Sequence, residues 1–116
     1  MSTTYQLMFG RRVQFDGSIT DEGFDESVIR FDIAQEDFDD FLANAVGTVF
    51  PHFTVTEGQG RWKGRMERMW IVTIITNGDS AGQIHQIAKQ YAEDFAQDSV
   101  LVNSFNSEYL IVQRTQ

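Results

Sequence analysis

The eight-residue run at positions 69–76 constrains the fold of this chain more than any other stretch. It reads Met-Trp-Ile-Val-Thr-Ile-Ile-Thr and is almost uninterrupted in apolar and β-branched side chains. A strand with one solvated face alternates apolar and polar residues, whereas a strand covered on both faces is apolar throughout. The run therefore predicts a central strand, covered on both faces, that ends at Asn77-Gly78.

Two stretches flanking this run have the apolar spacing of amphipathic helices. In both, apolar residues recur at intervals of 3, 1, 3, 1 and 3, which places them on one helical face. The first stretch begins at Gln35 and ends around Gly47 and Pro51, and the second follows a capping residue, Asp79 or Ser80. The apolar positions are Phe38, Phe41, Leu42, Ala45, Val46 and Val49 in the first stretch, and Ile84, Ile87, Ala88, Tyr91, Ala92 and Phe95 in the second.

Strand signals complete the pattern. Residues 5–9 alternate and predict an opening strand that ends at Gly10, and residues 53–55 predict a strand before the central one. Near the C-terminus, residues 100–102 and 108–113 have strand character, with a break or turn at 103–107. The order of elements predicts one α+β domain over residues 1–116 with a ferredoxin-like βαββαβ fold, an antiparallel sheet carrying two helices on one face.

Residues 11–34 are predicted to form an acidic insertion or hairpin after the first strand. Asp16-Gly17 suits a two-residue turn, and Ile29, Phe31 and Ile33 alternate as in a short extra strand. Because both predicted helices cover the same sheet face, the other face has to meet water, a ligand or another subunit. We therefore expect a homodimer or a higher homo-oligomer.

Composition narrows the possible functions. A net charge of -8 argues against direct nucleic-acid binding, because affinity for phosphates comes from lysine and arginine. The chain has no cysteine, which excludes disulfides, a thiolate nucleophile and cysteine-ligated metals. It has no targeting pattern and no apolar run near the roughly 20 residues of a membrane span. We expect a soluble, cytoplasmic protein that does not contact membranes.

Several residues together resemble the bacterial domain of unknown function 3574 family. The likeness covers Phe9-Gly10 and residues 35–102, and it departs at residues 11–34 and after Asn103. The resemblance implies a ferredoxin-like fold, and it brings no established activity and no catalytic residues. The motifs that carry it are Phe50-Pro51-x-Phe53-Thr54-Val55, Gly60-x-Trp62, Glu67, and Ile84-x-x-Ile87-x-x-x-Tyr91-x-x-x-Phe95-x-Gln97-x-Ser99-Val100-Leu101.

A basic, tryptophan-containing cluster is the main candidate binding site. Arginine forks bind phosphate or carboxylate, and an indole ring stacks on a base or a sugar. If the stretch is extended, Arg61, Lys63 and Arg65 lie on one side and Trp62 on the other. An alternative is a basic hairpin tip whose arginines pair with the acidic segment. The candidate ligand-binding residues are Arg11, Arg12, Arg61, Trp62, Lys63, Arg65, Glu67 and Arg68.

Known cofactor and metal motifs are absent. The Gly58-Gln59-Gly60 segment joins strand to strand and is not a dinucleotide loop, and no GKS/T phosphate loop occurs. His52 and His85 have no metal-ligand spacing, so no metal and no cofactor is expected. For acid–base chemistry, Glu67 or either histidine is a chemical candidate, although a salt bridge is the simpler role of Glu67.

The acidic segment offers a second hypothesis, in which carboxylates imitate a nucleic-acid backbone and bind a basic partner. The candidate partner-binding residues are Asp21, Glu22, Asp25, Glu26, Asp37 and Asp40. The simpler alternative is a solubilising surface. A calcium hand is excluded because its ligand spacing is absent.

Three functions follow from these observations. The leading hypothesis is a small non-catalytic protein that captures an anionic, nucleotide-like ligand, as a phage-type or regulatory sequestering protein would. The second is an acidic interaction protein or nucleic-acid mimic that inhibits a basic partner. The third is a small cofactor-independent enzyme in the cleft of a ferredoxin-like dimer, because missing motifs do not exclude activity in such folds.

Overall fold

A computed structural model describes residues 2–13, 31–62 and 64–114. This part of the chain forms six strands and two helical segments. In order, the elements are β1 (Ser2–Gly10), β2 (Arg12–Val13), β3 (Phe31–Asp32), α1 (Gln35–Phe41) with a π-helical turn (Leu42–Val46), β4 (Thr54–Trp62), β5 (Arg65–Thr76), α2 (Ala81–Asp94) and β6 (Leu101–Ser107).

The four long strands form one antiparallel sheet in the order β4-β5-β1-β6. In the β1–β5 pair, Leu7 lies opposite Val72 and Phe9 opposite Trp70. Directly opposed residues of a sheet point to the same face, so these side chains form one apolar layer. The predicted α+β class and the central place of β5 are confirmed. The short strands β2 and β3 pair with each other beside this sheet.

Stacked aromatic rings join both helical segments to that layer. Phe38 of α1 stacks on Trp70 with ring centroids 3.9 Å apart, and Tyr91 of α2 stacks on Phe9 at 4.1 Å. Phe41 meets both Phe9 and Tyr91 edge to face. Each such pair contributes about 0.5–1.5 kcal/mol beyond the burial of its area. The helices therefore cover the same sheet face, here called the helix face.

The other sheet face, here called the open face, has no helix over it in the described part of the chain. Along β5, Trp70, Val72 and Ile74 are buried, whereas Ile75 is 48% exposed. The prediction that this strand is covered on both faces is therefore wrong. Its apolar run reflects β propensity on the open face as well as burial on the helix face.

The first helical stretch follows its predicted periodicity with one irregularity. After Phe41 it widens into a π-helical turn, in which the amide of Gly47 donates to the carbonyl of Leu42. The helical segment ends at Val46, near the predicted Gly47. At the start of α2, the Asp79 carboxylate accepts a hydrogen bond from the Ala81 amide at 3.0 Å, so Asp79 rather than Ser80 supplies the capping oxygen.

The C-terminal strand prediction is right at Leu101 and Val102, which lie in β6, and wrong for the residues that follow. Residues 103–107, predicted as a break, belong to β6, whereas residues 108–114 have no regular structure. The strand pairs with β1, and Ser107 lies opposite Ser2, the first residue of β1. Because β1 offers no described partner beyond Ser2, the more apolar residues that follow cannot extend the pairing.

Most of the predicted acidic insertion lies outside the described residues. Of the short extra strand predicted at 29–33, Phe31 and Asp32 form β3. The predicted turn at Asp16-Gly17 and the rest of residues 14–30 lie outside the described residues. Among the described residues, no helix has the length and apolarity needed to cross a membrane.

Replacing Tyr91 with phenylalanine tests how firmly α2 is held. The Tyr91 hydroxyl donates a buried hydrogen bond to the carbonyl of Gly10. Tyr91→Phe leaves that acceptor without its partner and is expected to lower the free energy of unfolding by about 1–3 kcal/mol. Urea denaturation measures the change. The control is Tyr109→Phe, which removes an exposed hydroxyl bonded to Asn77 at 3.3 Å and should have little effect. Equal losses in the two variants would contradict this account.

Candidate functional site

A pocket of about 310 Å³ lies on the open face, at the end of the sheet where β1 ends and β6 begins. The strands bring its residues together by register, since Met8 lies opposite Leu101 and Gly10 lies opposite Met69. Residues that follow α2 form part of the wall. The lining consists of Met8, Gly10, Gly60, Arg61, Glu67, Met69, Gln97, Asp98, Ser99 and Leu101.

Two polar side chains converge over Gly10 in this pocket. A Cβ atom added at Gly10 would come within 2.6 Å of both Glu67 Oε1 and Gln97 Oε1. Atoms cannot approach that closely, so any larger residue at this position would displace one or both side chains. The absence of a side chain at Gly10 thus allows a carboxyl group and a carboxamide to face the same small volume.

The carboxamide of Gln97 is fixed in orientation. Its Nε2 donates to the carbonyl of Arg12 at 2.9 Å and to the carbonyl of Phe95 at 3.0 Å. Both N–H groups are therefore used, and Oε1 is the atom left facing Gly10. An amide oxygen has two lone pairs and only accepts hydrogen bonds. Gln97 consequently presents an acceptor to whatever enters the pocket.

Glu67 is a carboxyl group in a partly apolar environment. Burial raises the pKa of Glu67 above 4.5, Arg12 acts in the opposite direction, and Asp98 raises the pKa further. Burial disfavours the charged form because the pocket solvates it less well than water does. Glu67 is therefore the described pocket residue whose proton is held more tightly than usual. Perturbed carboxyl groups in clefts are common at functional sites.

Arg11, a predicted ligand-binding residue, is engaged within the protein. Its Nη1 donates to Glu57 Oε1 at 2.8 Å, and its guanidinium lies 4.6 Å from the centroid of the Trp70 ring. Its side chain is only 19% exposed. The cation–π contact and the ion pair place Arg11 over the edge of the core on the helix face, away from the open-face pocket.

The remaining predicted basic residues do not converge on one side. A turn at Gly64, which has a φ of 77°, reverses the chain between β4 and β5. Arg61 pairs with Met66, and Trp62 pairs with Arg65. The Arg61 and Arg65 positions therefore lie on opposite sheet faces, and the prediction that they share a side is wrong because the stretch is a hairpin.

Of the other predicted ligand residues, Glu67 and Arg61 border the pocket, and the register directs the Arg61 side chain to the face opposite that of Glu67. Arg12 is exposed and lies 3.5 Å from the Asp32 carboxylate, while Arg68 is exposed on β5. The Trp62 side chain and Lys63 lie outside the described residues.

The structure describes only two of the six acidic residues predicted to bind a basic partner. Asp37 and Asp40 are exposed on α1, whereas Asp21, Glu22, Asp25 and Glu26 lie outside the described residues. His52 and His85 are exposed. No group of three or more metal-ligating side chains occurs within residues 2–13, 31–62 and 64–114.

Sequence reasoning missed the role of Gln97 and of the apolar lining. Gln97 stands 30 positions after Glu67 in the sequence, in the segment after α2, and only the fold brings them together. In the sequence, Met8 and Met69 have no feature that distinguishes them from other strand residues. The available signal was the strand alternation itself, which assigns both methionines to the face that the helices leave open.

Paired glycine substitutions test the close approach at Gly10. Gly10→Ala introduces a Cβ into the space used by Glu67 and Gln97 and is expected to destabilise the protein by about 1–3 kcal/mol. The control is Gly82→Ala in α2, where an added Cβ has no heavy atom within 4 Å. Alanine favours helix more than glycine does, so the control should stabilise by about 0.5–1 kcal/mol. Thermal denaturation of both variants measures the contrast, and a neutral Gly10→Ala would contradict the geometry.

The raised pKa of Glu67 predicts a pH dependence of stability. Above pH 4.5 the folded protein retains a proton that the unfolded chain releases, so this group's contribution to stability falls as pH rises through its folded-state pKa. Glu67→Gln removes that loss. Relative to the parent protein, the variant should therefore gain stability as pH is raised from 4.5 towards neutrality, as measured by urea denaturation at several pH values. Glu93→Gln, at an exposed position on α2, controls for the general loss of one negative charge. A flat or opposite difference for Glu67→Gln would contradict the prediction.

Comparison with known proteins adds a fold relative and a family. A solved phage SAM lyase in complex with S-methyl-5'-thioadenosine is similar with a TM-score of 0.53 and 19% identity, covering 90% of this chain and 80% of that one. The similarity shows a shared fold. Among curated proteins, none matches this chain in sequence. The profile of the family described as "Protein of unknown function (DUF3574)" matches residues 4–109. The predicted resemblance is confirmed, and the chain belongs to the DUF3574 family.

Proposed function

We propose that this protein captures a small, uncharged or positively charged nucleoside-type ligand in the open-face pocket. The observation that carries the proposal is the convergence of Glu67 and Gln97 over Gly10, inside a pocket whose apolar surface comes from Met8, Met69 and Leu101. Small-molecule sites commonly combine an apolar lining with a few placed polar groups that fix the ligand's orientation.

The hydrogen-bonding capacity of these two groups selects the ligand. Gln97 offers an acceptor, and Glu67 offers acceptors when ionised and one donor when protonated. A ligand that carries hydroxyl or amino donors satisfies both side chains. A ribose diol and the exocyclic amine of a purine are groups of this kind. A sulfonium or ammonium centre would also be favoured, because Glu67 and Asp98 both line the pocket.

The apolar part of the lining suits a thioether nucleoside. Met8, Met69 and Leu101 supply polarisable and aliphatic surface, and methionine sulfur packs favourably against aromatic rings such as a purine. A volume of about 310 Å³ lies at the lower end of the range for small-molecule sites. A single nucleoside is therefore a better match for this pocket than a dinucleotide.

The fold relative supports the ligand class. Its solved structure contains S-methyl-5'-thioadenosine, an uncharged thioether nucleoside with a ribose diol and a purine amine. At 19% identity the comparison alone carries no assignment of ligand or activity to this chain. The pocket's own acceptors and methionines favour the same class here.

An anionic ligand receives less support than the sequence suggested. Arg11 pairs with Glu57, and the Arg61 and Arg65 positions lie on opposite faces. The acidic groups that line the pocket are Glu67 and Asp98, whereas the register directs the Arg61 side chain to the other face, so the pocket favours a cation over a phosphate. We also infer that the fold is ferredoxin-like, since the sheet order and the two helical segments on one face fit that arrangement.

Isothermal titration calorimetry with three probes tests the proposal. S-methyl-5'-thioadenosine is expected to bind most tightly, adenosine more weakly because it lacks the thioether, and adenosine 5'-monophosphate weakest because its phosphate meets two carboxyl groups. Glu67→Gln should weaken the first probe by about tenfold, the equivalent of one hydrogen bond to a charged group. Glu93→Gln should leave the affinity unchanged.

The competing outcomes are distinct. Tightest binding by adenosine 5'-monophosphate, lost in Arg61→Glu, would support anion capture by the basic hairpin instead. Absence of binding by all three probes would overturn the proposal. Chromatography of each mixture after incubation detects conversion of the probe, and conversion that Glu67→Gln abolishes would replace capture with catalysis.

A further inference from the structure

Residues 108–114, which follow β6, include a run of apolar side chains that nothing in the described structure covers. Leu110 is 84% exposed, Ile111 72% and Val112 82%, and residues 108–114 contain no helix or strand. Tyr109 makes one side-chain hydrogen bond, from its hydroxyl to Asn77 Oδ1 at 3.3 Å. Aliphatic, β-branched residues of this kind favour strands and are rarely left in water as a continuous run. Residues 108–114 are here called the tail.

The outer edge of β6 is also uncovered. β6 ends the sheet order, and within the described residues no strand pairs with its outer edge. Natural edge strands usually carry lysine, proline, a bulge or another feature that prevents pairing with a second chain. β6 reads Leu-Val-Asn-Ser-Phe-Asn-Ser, with no charge and no proline. The opposite edge strand, β4, contains Glu57, Gly58, Gly60 and Arg61.

We propose that the tail of each chain pairs with the outer edge of β6 in a second copy, forming a two-fold symmetric dimer by reciprocal strand addition. The tail continues directly from β6 and spans seven residues, the same length as β6. Two such strands running antiparallel can therefore cover each other along their whole length. Main-chain hydrogen bonds supply the affinity of such pairing, and the cross-strand side chains supply its register.

Symmetry restricts the register. A two-fold axis perpendicular to the sheet keeps both open faces on the same side, so opposed residues must both be odd-numbered or both be even-numbered. Full overlap of β6 with the tail centres the pair between Ser107 and Glu108, and the odd–even rule moves the axis onto one of these two residues. Centring on Glu108 would place two carboxylates directly opposite each other, which is unfavourable. Centring on Ser107 avoids this clash and selects one arrangement.

The selected register places compatible side chains together. Phe105, which is 45% exposed, lies opposite Tyr109 of the partner subunit, and Val102 lies opposite Val112 of the partner subunit. Aromatic pairs and β-branched pairs are the cross-strand contacts that stabilise sheets. Residues 101–114 of each chain take part, and at on the order of 50 Å² per residue the dimer buries on the order of 1,400 Å². That area falls within the range of specific, stable interfaces.

Sedimentation equilibrium of the full chain gives the first test, and this test is independent of ligand binding. The protein is expected to be a dimer, and Leu110→Glu combined with Val112→Glu should weaken dimerisation by about a hundredfold or more, since buried charges lack partners. Thr48→Glu combined with His52→Glu, at exposed positions between the first helical segment and β4, provides a control with matched negative charge. A monomeric parent protein, a trimer, or a dimer that the tail variant leaves intact would each overturn the proposal.

Cysteine crosslinking tests the register directly, because the chain contains no cysteine of its own. In the proposed dimer, Asn103 lies opposite Ile111 of the partner subunit on the open face. Asn103→Cys with Ile111→Cys should form intermolecular disulfides under mild oxidation, visible as a dimer band in a non-reducing gel. Asn103→Cys with Leu110→Cys places the second thiol on the other face and should crosslink far less. Equal crosslinking, or none in the first variant, would overturn the register, and this test holds even if the glutamate variant fails to fold.

Discussion

The contact between α2 and the end of β1 is the interaction on which the rest of the structure depends. Tyr91 stacks on Phe9 and donates its hydroxyl to the carbonyl of Gly10. Burial raises the pKa of Tyr91, so the hydroxyl keeps its proton and remains a donor. One side chain thereby joins the hydrophobic layer to the strand terminus. The same strand terminus supplies Gly10 to the pocket. The contact of Tyr91 with β1 therefore stabilises both the core and the position of Gly10 in the pocket.

Covering only one face of the sheet explains where the pocket forms. Both helical segments use aromatic side chains to pack on the layer formed by β1 and β5. At this end of the sheet the open face carries methionines and glycines, which cannot fill the space by themselves. The chain leaving α2 returns across this end before β6, and its residues close one side of the space. The pocket is thus a consequence of topology.

The sequence predicts those parts of the fold in which local periodicity and burial agree. The 3, 1, 3 spacing identified both helices, and the apolar run identified β5, because each pattern reports the element's own buried face. It misplaced the last strand because residues 108–113 have higher β propensity than residues 103–107, while pairing was limited by where β1 begins at Ser2. The meeting of Glu67 and Gln97 was beyond prediction, since it depends on a close approach at Gly10 between distant segments.

The two hydrogen bonds from Gln97 to main-chain carbonyls have a consequence for any binding event at this end of the sheet. They tie the segment after α2 to Arg12 on one side and to the last turn of the helix on the other. A carboxamide held this way has already lost its rotational freedom when the protein folds. A ligand that meets it therefore does not have to immobilise it, and a weak set of contacts suffices for useful affinity. The site is preorganised by folding.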